Sequence, residues 1–315
     1  MRRLEALAAH SSGSTPATSP VETQPGLPDW FVEAASLANG RFGSIVHKGC
    51  TIAYQAWGNA SLPPILMLHG AGASSEWWEA TAILLADRFH IVAPSFAGVG
   101  RSQWRETYSI EQCVGEALAC ARAESALRPG IRPICVAHSF GSEAGLRLAI
   151  DPDQPISQLI LVDSLMGLYG SPDASFRIRE RQYYSSSDYA VSRFSTVPRD
   201  DYGPEFLRAR VAYQSLERFA SPSEEEIWTW RADPNVMAKL SCEPVFDRIG
   251  DARCPIDFIY GGRSSMNSTG LRERQAEAVN YQAVFLGIQE AGHHIPLDRP
   301  RELAEAIREL VELRS

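Results

Sequence analysis

The residues with the clearest chemical potential lie in Ala137-His138-Ser139-Phe140-Gly141. A short apolar run from Pro133 to Val136 stops there, and a helix-forming segment continues to Ile150. Small-x-Ser-x-Gly at such a junction is the pattern of a nucleophile elbow, a strand-to-helix turn so sharp that its flanks must be small. The turn would lift the Ser139 hydroxyl above the sheet edge, at the positive end of the following helix. The same pentapeptide also fits a strand-turn-helix with an exposed serine. A nucleophilic serine needs a base, a group to orient the base, and donors for an oxyanion, so the rest of the chain decides.

Seven histidines are available as the base. His10 lies in a terminal arm and His47 on an edge hairpin. His90 begins a strand, at the wrong end of a sheet. His138 sits inside the elbow, too close to Ser139 to turn back onto it. His69 ends an apolar strand and suits a loop-fixing role beside the oxyanion site. What remains is Ala291-Gly292-His293-His294, a loop after the last strand. The expected oxyanion donors are backbone amides, one from Phe140 and one from Gly70-Ala71-Gly72, with Ala71 the favoured residue. Small residues there allow close approach of the backbone. That turn lacks the glycine-lysine spacing of a phosphate cradle.

The elements that must position these groups follow a regular rhythm. Asp29 to Ala38 predicts a short helix, and 42–47 with 51–57 an edge hairpin around Lys48-Gly49. Ile65–Leu68, His90–Ala93, the elbow strand, Leu159–Asp163, Asp257–Tyr260 and Val284–Ile288 read as strands. Ser75–Asp87, Ser109–Glu124, the elbow helix, Leu271–Val279 and Arg301–Leu313 read as helices. Ser109 with Gln112 has capping-box spacing. Apolar strands alternating with helices predict a mostly parallel sheet covered on both faces, with ligands beyond the carboxyl ends of its strands.

Residues from about 166 to 245 break this rhythm. They are rich in aromatics and show no apolar strand run, which predicts a mostly helical inserted lid. Ser221-Pro222-Ser223-Glu224 reads as a helix start. Residues 1–28 begin Met1-Arg2-Arg3 and then turn rich in Ser, Thr, Pro and Gly, as in a flexible arm. The apolar stretch near the start is short and broken by Glu5, so a cytoplasmic protein is expected, with export as the alternative.

Composition limits the partners. The chain has 315 residues, enough for one large α/β domain with an insertion, and a net charge of −8 without a basic block. That argues against nucleic acid and anionic membranes as partners. No apolar run reaches the length of a membrane span. Six scattered cysteines form no Cys-x-x-Cys pair and suggest buried, reduced thiols. No His/Cys cluster has ligand spacing, so no metal is expected.

His69-Gly70-Ala71-Gly72, Gly98-x-Gly-x-Ser102, Ala137-His-Ser139-Phe-Gly141, Gly292-His293 and Asp298-Arg-Pro300, in this order, resemble the α/β-hydrolase fold superfamily. The resemblance runs from about residue 40 to near the end. It implies an eight-stranded sheet, a lid after the sixth strand, and a cofactor-free Ser-His-acid triad. It favours His293 over His294, as the residue directly after Gly292. Three positions depart from the family pattern. Ala137 stands for the elbow glycine. Ser95 stands where an aspartate often follows Ala-Pro. Ser264 stands where the acid is usual, three residues after the glycine that ends the Asp257–Tyr260 strand. Some members carry the acid at the end of the preceding strand, and here that residue is Asp163. Asp163 also fits a loop aspartate capping the next turn.

The expected function is therefore serine hydrolysis of an ester or lactone of a small, largely apolar substrate through an acyl-enzyme. The candidate catalytic residues are Ser139, His293 and Asp163, with Ala71 and Phe140 as oxyanion donors. His69, Gly70, Trp77, Trp78, Met166 and Trp230 are the candidate pocket wall. The alternatives are C–C bond hydrolysis with the same triad, or a small-molecule receptor on the same fold. Sequence leaves the oligomeric state open.

Overall fold

The computed structural model describes residues 26–164, 178–199, 202–220, 226–243, 245–267, 270–280 and 282–315. The N-terminal arm through residue 25 and Met166 lie outside them. Eight strands form the central sheet: β1 (Arg41–His47), β2 (Cys50–Trp57), β3 (Pro64–Leu68), β4 (His90–Pro94), β5 (Ile134–His138), β6 (Gln158–Val162), β7 (Ile256–Gly261) and β8 (Phe285–Ile288). Their spatial order is β1-β2-β4-β3-β5-β6-β7-β8. From β4 to β8 every pairing is parallel, and β2 joins β4 antiparallel. The β1–β2 hairpin turns through Lys48 and Gly49, with φ of 48° and 73°. Two successive positive φ values give the tight turn whose twist matches paired strands.

The strands are apolar on both faces because both are covered. Leu66, Leu68, Cys135, Ala137, Leu159 and Leu161 face one core cluster, with Ile110, Ala117, Leu146 and Leu148. The residues between them, Ile65, Met67, Val136, Ile160 and Val162, face the other, with Phe31, Trp78, Leu85, Leu303 and Ile307. This is the period of two expected of strands. The helices supply the covers: α1 (Asp29–Leu37), α2 (Glu79–Leu85) and α6 (Pro300–Glu312) on one side, α3 (Ile110–Ala123) and α4 (Gly141–Ile150) on the other. A further helix, α5 (Leu271–Ala278), lies between β7 and β8. Ser109 caps α3 in a full capping box with Gln112. Truncating one of the fully buried leucines would cost about 2–5 kcal/mol, from lost transfer energy and the cavity left behind.

The segment between β6 and β7 departs from the helical expectation. Its described part holds the helices Ser187–Ser192 and Glu205–Gln214, but also the strands Tyr183–Tyr184, Leu216–Ala220 and Glu226–Trp230, joined into an antiparallel sheet. Residues 221–225, where a helix start was expected, are outside the described residues, and 226–230 are strand. Ile227, Trp228, Thr229 and Trp230 are β-branched or aromatic, and they find partners across the ribbon rather than in a continuous apolar run. A ribbon with one wet face needs no such run, so its sequence signal is weak. The segment touches loops at the carboxyl edge of the main sheet. Arg210 grips Glu79 with two hydrogen bonds of 2.6 and 2.8 Å in a buried pair. The amide of Tyr202 donates to Asp298, and the Tyr108 hydroxyl donates to Asp233.

Candidate active site

The parallel strands place the candidate residues along one edge. Ser139 follows β5 and Asp163 follows β6, both with positive φ (49° and 43°), a conformation that is strained for residues with a Cβ. Such strain costs on the order of 1–3 kcal/mol and is maintained only where the surroundings fix it. Here the Ser139 amide donates to the Val162 carbonyl, and the Asp163 amide donates to the Ile259 carbonyl, so each turn is tied to the next strand. The extra methyl of Ala137 at the elbow is accommodated by Gly145, one turn into α4. A Cβ at Gly145 would lie 3.1 Å from that methyl and 2.8 Å from Leu159.

Three buried side chains form a chain of hydrogen bonds. The Ser139 hydroxyl donates to His293 Nε2 at 2.9 Å. His293 Nδ1–H donates to Asp163 Oδ2 at 2.6 Å. Asp163 also accepts from the Ser264 hydroxyl at 2.6 Å and from the Gly261 amide at 3.0 Å. Ser264, at the place of the usual family acid, therefore serves Asp163 instead of the imidazole. The histidine loop comes this close because β7 ends in glycine. A Cβ at Gly261 would sit 2.2 Å from the Gly292 carbonyl oxygen.

Two groups that sequence reading did not assign hold His293 in place. His138 Nε2–H donates to the His293 carbonyl at 2.8 Å. Asp298 accepts from the Gly292 amide at 2.8 Å, which shapes the loop. Both lie within motifs quoted for the resemblance, His138 in the elbow and Asp298 in Asp298-Arg-Pro300, but neither carried a role there. His294 stands beside His293 and donates from Nε2 to the Pro198 carbonyl at 2.9 Å. It does not take part in the Ser139–Asp163 chain.

Ala71 and Phe140 line one cleft at the carboxyl edge, together with His69 and Gly70. His69 fixes this turn. Its Nδ1–H donates to the Gly70 carbonyl at 2.8 Å, and its Nε2 accepts from the Phe96 amide at 3.0 Å. Ser95 ties the same region together by accepting from the Ser75 amide and donating to the Ser75 hydroxyl, both at 3.0 Å. The other expected wall residues lie elsewhere. Trp78 is fully buried in the core near His138, because the 3₁₀ turn Ser75–Trp78 directs it beneath the sheet. Trp77 packs on Ala73, Val211 and Leu297, next to the His294 ring. Trp230 belongs to the small sheet and donates to Tyr184.

Burial keeps two of these imidazoles neutral. His69 is lowered to about 4, chiefly by desolvation, with the Gly70 hydrogen bond opposing. His138 is lowered well below the usual range by burial and then by the neighbouring His293 and His294. An unfolded chain binds protons at both as the pH falls through 6.5, while the folded chain does not. Their stability contribution is thus present above that pH and is lost as pH falls. Between pH 7 and pH 5, His69 alone should remove about 2 kcal/mol. Urea titrations should show this fall, and His69→Gln, which does not titrate, should flatten it. An equally steep fall in the variant would mean that His69 titrates in the fold as it does in the unfolded chain.

Among the described residues, His138, His293 and His294 bring ring nitrogens within 4.8 Å of one another. Each of those rings makes at least one of the hydrogen bonds above. No helix among the described residues is long and apolar enough to cross a membrane.

Residues 65–306 match the alpha/beta hydrolase family. The chain belongs to this family. Esterase Rv0045c of Mycobacterium tuberculosis is 26% identical over 270 residues, spanning 82% of this chain and 85% of that protein. The putative carbamate hydrolase RutD of Shigella flexneri is 27% identical over 208 residues, 64% of this chain and 73% of that protein. Among solved structures, the thioesterase domain from the curacin biosynthetic pathway gives a TM-score of 0.71 at 20% identity, covering 86% of this chain and 99% of the domain. The crystal structure of esterase Rv0045c gives 0.66 at 22% identity, covering 92% and 99%. At these identities the structural likenesses speak to the fold alone. The family match and the named relatives together make this α/β-hydrolase family member a hydrolase.

Proposed function

We propose that this hydrolase cleaves a carboxylic ester or lactone of a small, largely apolar substrate through an acyl-enzyme on Ser139. The observation that carries the reading is the unbroken hydrogen-bond chain from Ser139 through both nitrogens of His293 to Asp163. Ser139 Oγ attacks the carbonyl carbon while His293 Nε2 takes its proton. Asp163 holds Nδ1–H and stabilises the imidazolium. The amides of Phe140 and Ala71 donate hydrogen bonds to the developing oxyanion. The tetrahedral adduct collapses, and His293 gives the proton to the leaving alkoxide. Water, deprotonated by the same imidazole, then releases the acid.

Residues 166–245 are proposed to cap the site, inserted between core segments 29–165 and 246–315. Support comes from their contacts with Asp298, His294, Glu79 and Tyr108, all at or beside loops of the carboxyl edge. Carbamates are a second substrate class, supported by the relatives named as putative carbamate hydrolases. C–C bond cleavage has no supporting observation of its own. A receptor would have no need of a serine, imidazole and carboxylate held in series.

The test is a rapid-mixing experiment with p-nitrophenyl butyrate. A burst of one p-nitrophenolate per enzyme is expected, with a butyryl group found on the peptide containing Ser139. Absence of both the burst and fluorophosphonate labelling would overturn the reading. His293→Ala should lower kcat by several powers of ten. His294→Ala removes one hydrogen bond to the cap and should cost less than about tenfold. The reverse order would move the base to His294.

A further inference from the structure

We infer that the cleft beside Ala71 and Phe140 receives the acyl chain, with the alcohol leaving on the His293 side, and that Cys113 and Met237 set its depth for unsubstituted straight-chain acyl groups. The inference rests on the acyl-enzyme reading above and adds the substrate class.

The assignment of sides follows from the tetrahedral carbon. Its oxyanion points to the Ala71 and Phe140 amides, and its leaving oxygen must face His293 Nε2 to collect a proton. The fourth substituent, the acyl chain, is left for the remaining direction. The cleft runs from the oxyanion turn between the loop after β4, the start of α3 and residues 236–240. His293, His294 and Trp77 do not line it. Ser139 does not line it either, so the cleft is assigned to the acyl side through Ala71 and Phe140, away from the base.

The chemical class follows from what the walls offer. Phe96, Val99, Phe140, Val236, Met237 and Leu240 give apolar surface. The polar side chains in the wall are already occupied. Glu116 accepts from the Ala97 amide and from Arg105, and burial raises its pKa. The Tyr108 hydroxyl donates to Asp233 and accepts from the Arg105 amide. His69 uses both nitrogens, and Ser109 and Gln112 are bound in their capping box. A charged or hydroxylated acyl chain would lose its water without gaining equivalent partners here, which costs a few kcal/mol. Cys113 is buried and its thiol pKa is raised far above the usual range by desolvation, so it acts as a small apolar side chain.

The depth is preformed. Asp233 accepts from Tyr108 Oη at 2.8 Å, Lys239 Nζ at 2.9 Å and the Asn235 amide at 2.8 Å. Its own amide donates to the Gly98 carbonyl at 2.7 Å. Leu240–Ser241 pairs in parallel with Tyr108–Ser109. These bonds fasten the far wall to the core, so chain length is limited by fixed side chains.

The experiment measures kcat/KM for p-nitrophenyl esters from acetate to decanoate, and for butyrate esters of alcohols of increasing size. In the unmodified enzyme each added acyl methylene should raise kcat/KM about fourfold, from about 0.8 kcal/mol of burial, until the cleft is full, and longer chains should fall. Cys113→Phe should lower the octanoate-to-acetate ratio at least tenfold. Met237→Ala should shift the optimum to longer chains, and this second variant keeps the test decisive if the first misfolds. Neither should change the order of preference in the alcohol series. A flat acyl profile, or a response confined to the alcohol series with a normal burst, would overturn this inference alone. Loss of the burst and of fluorophosphonate labelling in the unmodified enzyme would overturn the acyl-enzyme and this inference with it.

Discussion

Ser139→Ala is expected to fold like the parent enzyme, to lose fluorophosphonate labelling, and to lower kcat on p-nitrophenyl butyrate by about five to six powers of ten. The magnitude follows from removing the only atom that forms the acyl bond in the proposed mechanism. What survives is carbonyl polarisation by the oxyanion amides and substrate binding, which typically leave about 10³–10⁴-fold over water. Stability should change by about 1 kcal/mol or less. The variant loses a hydrogen bond to His293, worth about 0.5–1.5 kcal/mol net. The positive φ at this position is equally strained for serine and alanine. Thermal unfolding checks the fold, and active-site titration checks the chemistry. Retained turnover with a normal unfolding curve would exclude Ser139 as the nucleophile.

Asp163→Asn should keep the fold and lower kcat by about 10⁴-fold. The amide has the same shape, and its oxygen can still accept from the Gly261 amide, while its nitrogen takes the place of Oδ2, the atom that accepts from both His293 and Ser264. Its NH₂ group, facing His293, would favour the tautomer with a bare Nδ1. Nε2 would then carry the proton and could not take one from Ser139. Burst amplitude should collapse with kcat, because acylation itself is impaired. Ser264→Ala removes one of the donors to Asp163 and should cost less than about tenfold, about the value of one hydrogen bond. A larger loss for Ser264→Ala than for Asp163→Asn would transfer the orienting role away from the carboxylate.

Both predictions turn on groups that differ in how visible they are in the sequence. The elbow is local. Ala137 to Gly141 must be small where the turn is tight, and the apolar run before it and the helix after it can be read residue by residue. The capping box at Ser109 and Gln112 and the strands of the main sheet are visible for the same reason, since they rest on contacts a few residues apart or on burial of both faces.

Only the tertiary structure decides which groups stand beside Ser139. Asp163 and Ser264 end neighbouring strands about one hundred residues apart, and their hydrogen bond depends on the parallel register of β6 and β7. His293 reaches Ser139 and Asp163 because the Gly261 backbone lets the Gly292 carbonyl approach without a side chain between them. His138, next to Ser139 in sequence, turns away from it to hold the His293 backbone, a role set by the loop after β8. The small sheet at 183–184, 216–220 and 226–230 was hidden because its short strands are partly exposed and gain their stability from pairing, which a linear sequence does not display. The cleft was hidden for the same reason. Its walls come from the turn at 69–72, a helix start and residues 236–240, which are brought together only when Asp233 and Tyr108 meet.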